Sequence, residues 1–193
     1  RVGSGPVEPY AYDAHGNMLL MPHLSIMQWD YRDQLQLTQR QQINPQDEDG
    51  EQRKGERTWY VYDASGQRVR KVTELATGAI KDERVYLGGF EIYRRHCSPD
   101  ASLVRETLHI MDDKQRIALV ETRKEINDGS PERLIRYQFS NHLGSASLEL
   151  NAEASIVSYE EYSPYGSTTY QAVDKNLKAA AKRYRYTGKE RDE

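Results

Sequence analysis

One unit recurs along the chain: two aromatics at alternate positions, an aspartate, a turn and a return run. It reads Tyr10-Ala11-Tyr12-Asp13-Ala14-His15-Gly16-Asn17, and again Tyr60-Val61-Tyr62-Asp63-Ala64-Ser65-Gly66-Gln67. A weaker third copy is Trp29-Asp30-Tyr31-Arg32-Asp33-Gln34-Leu35. Alternate residues of a strand share a face, so Tyr10 falls beside Tyr12, and Tyr60 beside Tyr62. Asp13 and Asp63 can accept a hydrogen bond from backbone two residues on and so start a turn. Gly16 and Gly66, three residues later, supply positive φ at little cost. The unit is strand, tight turn, strand, and a chain of such units is a succession of β-hairpins. The paired rings are expected to stack on those of the next hairpin as a cross-strand ladder.

The rest of the chain continues the pattern. Val85-Tyr86-Leu87 runs through Gly88-Gly89 into Phe90-Glu91-Ile92-Tyr93, and Thr107–Met111 turns at Asp112–Gln115 into Arg116–Thr122. Leu134–Phe139 puts Ile135, Tyr137 and Phe139 on one face and Leu134, Arg136 and Gln138 on the other. Asn141-His142-Leu143-Gly144 turns that strand into Ser147–Leu150, and Asn151–Ala154 turns again into Ile156–Tyr162. Strands every dozen residues predict an all-β fold, an antiparallel β-hairpin meander. Composition agrees. The hydrophobic fraction is 37% and mean hydropathy −0.90, so the apolar content is low for a compact globule. The aromatics are 14 Tyr, 2 Phe and 2 Trp, which suits sheet with a wet face.

Two segments break the pattern. Asn44–Glu56 is almost devoid of apolar residues and reads as an exposed loop. Asp174–Arg183, with Leu177-Lys178-Ala179-Ala180-Ala181-Lys182, reads equally as a short helix or a partly helical loop. The expected division is therefore a sheet region over residues 1–168 and a loop or short helix over 169–193. The chain begins and ends within its patterns, as a piece of a longer protein would.

These residues resemble the RHS/YD-repeat family. Besides the tyrosine-aspartate units, the resemblance rests on Asn141-His142-Leu143-Gly144-Ser145, Tyr159–Gly166 with Tyr165-Gly166 at its end, and Arg185–Glu193, which is similar to the opening of the RHS-repeat-associated core. Met21-Pro22-His23-Leu24 and Trp29–Asp33 resemble the version in insecticidal toxin-complex C subunits and SpvB/Tc-like RHS proteins. The resemblance implies an arc of a hollow β-shell that encloses a C-terminal toxin, in a secreted or cell-surface protein. The implied partners are the rest of the shell, the enclosed toxin and a toxin-complex B-type subunit. The autoproteolytic motif of many family members would lie beyond Glu193, so no catalytic residue carries over.

Read for chemistry, the chain offers little. Glu160 and Glu161 point to opposite faces of a strand, and Asp112-Asp113 sits where a hairpin must turn, so both pairs read as turn or solvated surface rather than as acid–base machinery. Cys97, in a turn-like Arg94–Pro99, has neither a helix start nor a base beside it. His15, His23, His96, His109 and His142 lack metal-ligand spacing, and His15 and His142 read as turn residues bonded to local backbone. Gly88-Gly89 lacks the Lys of a phosphate loop. No cofactor is implied. The net charge of −3 offers no field for nucleic acid, and the basic run from Lys175 to Arg191, diluted by Asp174, Glu190, Asp192 and Glu193, reads as a solvated loop or a strand facing a polar lumen. No apolar run is long enough for a membrane span. Tyrosine ladders also line saccharide sites, so an extracellular glycan- or receptor-binding sheet is the alternative. The residues expected to build the repeat are Tyr10, Tyr12, Asp13, Gly16, Trp29, Asp30, Tyr60, Tyr62, Asp63, Gly66, His142, Gly144, Tyr165 and Gly166. A bare arc would also expose two sheet edges, so it should self-associate through them or be only moderately stable alone.

Overall fold

The structure is a computed structural model that describes residues 10–21, 23–40, 55–97 and 100–191. Most of the acidic 44–56 segment, Pro22, Ser98, Pro99, Asp192 and Glu193 lie outside the described residues. The strands are β1 (Ala11–Tyr12), β2 (Met18–Leu20), β3 (Leu24–Trp29), β4 (Leu35–Arg40), β5 (Arg57–Tyr62), β6 (Arg68–Glu74) and β7 (Ile80–Leu87). They continue as β8 (Phe90–Arg95), β9 (Val104–Asp112), β10 (Gln115–Lys124), β11 (Arg133–Ser140), β12 (Ala146–Leu150), β13 (Ile156–Tyr162) and β14 (Thr168–Val173). β1 and β2 pair with each other, and β3 to β14 form one 12-stranded sheet in chain order. The all-β antiparallel meander is borne out. Asp174–Arg183 holds only a 3-10 turn at Lys175–Leu177, capped by the Asp174 carboxylate and stopped by Lys178 at φ +47°.

The regularity comes from one turn used repeatedly. At Asp13, Asp30, Asp63, Leu75, Asn141, Asn151 and Ser163 the first residue donates its N–H to the carbonyl four residues on. The fourth residue of each turn donates back to the carbonyl of the first. That fourth residue is always left-handed: Gly16, Asp33, Gly66, Gly78, Gly144, Ala154 and Gly166 have φ between +57° and +88°. The Asp or Asn Oδ1 accepts the two remaining N–H groups, as Asp63 does from Ser65 and Gln67 at 2.8 and 2.9 Å and Asn141 from Leu143 and Ser145 at 3.0 Å. A three-residue hairpin loop with a left-handed bulge results, and it keeps the flanking strands in register. His142 is exposed inside such a turn. Where the left-handed residue is not Gly, its Cβ is strained by ~1–2 kcal/mol, partly offset by the freedom Gly has when unfolded. Ala154→Gly should therefore raise stability by about 0.5–1 kcal/mol, and Gly66→Ala lower it by about 1 kcal/mol, in urea unfolding.

The chain divides into two compact units, Arg1–Tyr86 with Arg95–Pro99, and Leu87–Arg94 with Asp100–Glu193. In the first, Leu37, Tyr60 and Val72 are buried together with Thr38, Thr58, Glu56 and Glu83. The acids there are paired: Lys81 Nζ lies 2.7 Å from Glu56, and Arg70 2.7 Å from Glu83. In the second unit the alternation along β11 matches the sequence, but the buried face is the polar one. Arg136 is 2% exposed and Gln138 5%, whereas Tyr137 and Phe139 are 43% and 53% exposed. The neighbouring strands continue this, burying Glu91, Thr107, Glu121, Glu149, Ser158 and Glu160. Buried ions are tolerated only when paired and hydrogen-bonded, so something must cover and neutralise that face.

Candidate functional site

The cover is the chain's own C-terminal segment, residues 180–191, here called the strap. Lys182, Arg183 and Arg185 point into the sheet, so for these three the solvated-loop reading is corrected, while Lys175, Lys178, Lys189 and Arg191 of the same run are exposed. Glu160, expected at a turn or a solvated surface, is also buried, while Glu161 is exposed on the opposite face. Glu160 takes Lys182 Nζ at 3.0 Å, the Arg185 guanidinium at 3.2 Å and the Thr168 hydroxyl at 2.5 Å. The two cations outweigh the acid's desolvation, which is why the sequence's solvated reading failed.

Around Glu91 the same chemistry repeats. Arg183 approaches its carboxylate at 2.8 Å and the Tyr184 hydroxyl donates to it. Arg116 lies over the Tyr184 ring at 3.7 Å, and the His109 ring meets that ring edge-on at 4.9 Å. Arg116 Nε donates to His109 Nδ1 at 2.8 Å, so Nε2 is the nitrogen that carries the proton. It lies 2.8 Å from Glu91, out of line for a full hydrogen bond. Burial and the Glu91 charge push the Tyr184 hydroxyl far above its ordinary value, so it is a standing proton donor. Between the two acids, Arg136 bridges Glu149 at 2.5 Å and Glu121 at 3.4 Å and donates to the Ala180 carbonyl of the strap at 2.8 Å.

The electrostatics fix a pH dependence. Burial raises the Glu149 carboxyl, but the Arg136 charge and hydrogen bonds from Ser158, Gln138 and Arg136 outweigh it and hold it below its ordinary 4.5. Burial likewise raises Glu160, and bonds from Thr168 and Lys182 with the Lys182 and Arg185 charges bring it below 4.5. Folded-state values below the unfolded ones mean a stabilisation that is complete above pH 4.5 and lost as pH falls through the lowered values. Thermal melts from pH 7 to pH 3 should show a steep loss below 4.5, and the slope should flatten in Glu149→Gln. Equal slopes in the two proteins would contradict the assignment.

The residues expected to build the repeat are spread along the hairpins rather than gathered at one point. Tyr60 is buried, with its hydroxyl 3.3 Å from Thr38 Oγ1, and half-buried Tyr62 donates to the Leu35 carbonyl at 2.9 Å. Tyr10 and Tyr12 are largely exposed. Trp29 Nε1 donates to the Met18 carbonyl at 2.8 Å, tying β3 to β2. The His15 ring pairs with Asp33 of the next turn at 2.9 Å instead of with local backbone. Tyr165 is exposed at its turn tip, and Gly166 faces the Tyr186 ring. Truncating Tyr60 and Tyr62 together to Ala should lower stability by about 2–5 kcal/mol in denaturant unfolding. The network under the strap went unread because its members look like ordinary strand polars one at a time. Two signals were available: acids at alternate strand positions, and the unbroken Lys182-Arg183-Tyr184-Arg185. Among the described residues no His/Cys/Asp/Glu group could hold a metal ion, and no helix is long and apolar enough to cross a membrane.

No family model matches the chain. Among curated proteins it is similar to the toxin subunits YenC1 and YenC2 of Yersinia entomophaga, 30% identical over 94% of the chain and 31% over 69%. The chain spans 18% and 14% of the length of those relatives. Among solved structures it resembles the TcdB2-TccC3 crystal structure, with a TM-score of 0.75 and 27% identity over 94% of the chain and 8% of that one. A Photorhabdus luminescens Tc holotoxin pore with a mutated TccC3 matches with a TM-score of 0.71 and 27% identity, again over 94% and 8%.

Proposed function

The chain belongs to the RHS/YD-repeat family, as a region of toxin-complex C-subunit type, and from that premise we propose that it is a non-catalytic arc of a hollow β-shell enclosing a C-terminal toxic polypeptide. The observation that carries the reading is the buried polar face of the second unit, covered by the chain's own strap. A wall whose covered face is held by paired ions rather than by an apolar core offers an unfolded passenger little apolar surface on which to collapse. The sheet meanwhile satisfies its own backbone, strand to strand. The charged cluster's members are bonded to one another and to the strap, which fits structure better than catalysis. The proposal extends to the rest of the shell and its toxin as partners, to a B-type subunit, since TccC3 is solved together with TcdB2, and to a secreted, extracellular setting.

The test uses the full-length protein. Under limited trypsin digestion the polypeptide that follows this region should resist cleavage while the sheet is folded and become sensitive when urea unfolds it. Equal sensitivity in both states would contradict enclosure. The purified chain, incubated alone, should stay uncut, and a defined self-cleavage would overturn the non-catalytic part.

One observation favours the second reading, a glycan-binding sheet. A cleft of about 240 Å³ is lined by Tyr31, Tyr60, Tyr62, Asp30, Asp63 and Gln36, and Tyr31 is 86% exposed. A glycan array probed with this chain decides it. Specific retention that Tyr31→Ala abolishes supports a saccharide site, and no retention leaves the wall as the function.

A further inference from the structure

Four consecutive strap residues hold two distant strands. Lys182 and Arg185 both bind Glu160 of β13, at 3.0 and 3.2 Å. Arg183, at 2.8 Å, and the Tyr184 hydroxyl bind Glu91 of β8. Between these anchors the strap also touches every intervening strand. Tyr184 meets His109 of β9 and Arg116 of β10, the Ala180 carbonyl accepts from Arg136 of β11, and the Ala146 backbone of β12 bonds both Lys182 Nζ and the Arg185 carbonyl.

The registers say how far apart the anchors would be on a flat sheet. Glu91 aligns with Thr107, Glu121 and Leu134 across β8 to β11. Phe139 aligns with Leu148 and Tyr159 across β11 to β13, which sets Glu160 level with Ser140. Five interstrand steps are ~24 Å and six residues along a strand ~20 Å, so flat geometry separates the anchors by ~30 Å. Side chains stand roughly perpendicular to a sheet with a lean along the strand, which recovers only a small part of that distance. Lys182 and Arg183 are adjacent, and their two side chains with the backbone between them span at most roughly 17 Å, so with the contacts of 3.0 and 2.8 Å added the link reaches ~23 Å from one carboxylate to the other. That link falls ~7 Å short of the flat distance, and twist and curl of the sheet toward the strap close the gap.

We propose that the strap is a curvature brace: Lys182-Arg183-Tyr184-Arg185, clamped between Glu91 and Glu160, sets how tightly β8 to β13 curl, with the strap on the concave side. This goes beyond the enclosing role and does not depend on what is enclosed. The tension is shared by two anchors, so weakening either one relaxes the curve while the strand ladder stays intact.

Electron–electron spin distances test this in the whole chain. Nitroxides at Leu108→Cys on β9 and Tyr170→Cys on β14, in a Cys97→Ser background, sit on exposed positions of the face away from the strap. With the strap native the distance distribution should be narrow. In Lys182→Gln/Arg185→Gln, which leaves every sheet residue in place, it should shift by about one strand spacing, ~5 Å, and broaden. Strap amides should then exchange at least tenfold faster, with the β-sheet dichroism unchanged. Tyr184→Phe removes only the hydroxyl on Glu91 and should give a smaller shift in the same direction, a check that holds if the double variant folds poorly. An unchanged distance with the strap amides released would overturn the brace. So would strap amides that stay protected, because the ion pairs would then not be what holds the strap.

Discussion

Replacing Arg136 by Ala should lower the unfolding free energy by about 3–5 kcal/mol, the largest single effect expected in this chain. The guanidinium is 2% exposed and lies against two acids, Glu149 at 2.5 Å and Glu121 at 3.4 Å, and also donates to the strap at Ala180. Burial works against its charge, but the Glu121 and Glu149 charges outweigh that and raise its pKa above the ordinary value. Removing it leaves both carboxylates beneath the strap without their cation. Stranding them costs more than the pair contributes, since a buried ion has no water to turn to. A volume-conserving Arg136→Met should be nearly as harmful, because the loss is charge rather than packing. Adding Glu149→Gln to either variant should recover part of the stability. Urea unfolding of the wild type and these four variants reads this directly. A loss under about 1 kcal/mol in Arg136→Ala would mean the acids are hydrated and the face is not closed.

Gly166→Ala should cost about 2–4 kcal/mol, well above the same change at Gly66. Both residues are left-handed, at φ +86° and +85°, so the backbone strain is shared. At Gly66 an added Cβ would stand 3.0 Å from the end of the flexible Gln34 side chain. At Gly166 it would stand 2.7 Å from the Tyr186 ring. That ring cannot swing away freely, because its hydroxyl donates to the Pro164 carbonyl at 2.7 Å and it packs against the Tyr162 ring, centroids 5.9 Å apart. The substitution should therefore loosen the strap end as well as the turn. Hydrogen exchange should show residues 186–191 released in Gly166→Ala and not in Gly66→Ala. Equal costs for the two variants would remove Tyr186 from the explanation.

The hairpins were legible in the sequence because their signal is local. An Asp or Asn with a glycine three residues on specifies the loop whatever surrounds it, and Asp13, Asp63 and Asn141 show it. Ser163 and Leu75 make the same loop with less of the signature, and Asp33 and Ala154 hold the left-handed position without glycine. There the strand pairing imposes the loop on residues that do not ask for it. Which face of each strand is buried was not legible. Alternation separates Arg136 and Gln138 from Tyr137 and Phe139, but hydrophobicity points to the wrong set as the buried one. That choice is made by residues 180–191, some 45 positions away along the chain, and contacts at such separation leave no trace in a local pattern. Lys182 and Arg185 looked solvated because charge alone says so. Only Glu160, brought over them by the sheet, makes their burial affordable.

The proposal that this region is a curved wall makes its own demand on the full-length protein: the strap-bearing face of β8 to β13 must be concave and look inward. Cryo-electron microscopy of that protein, with this stretch located in the map, tests it in one measurement. The expected result is Arg136, Glu149 and the strap on the cavity side of a closed shell, with Tyr137 and Phe139 on its outer side and unfolded polypeptide density within. Finding the strap on the convex outer surface, or the sheet flat with no enclosed space, would contradict the account.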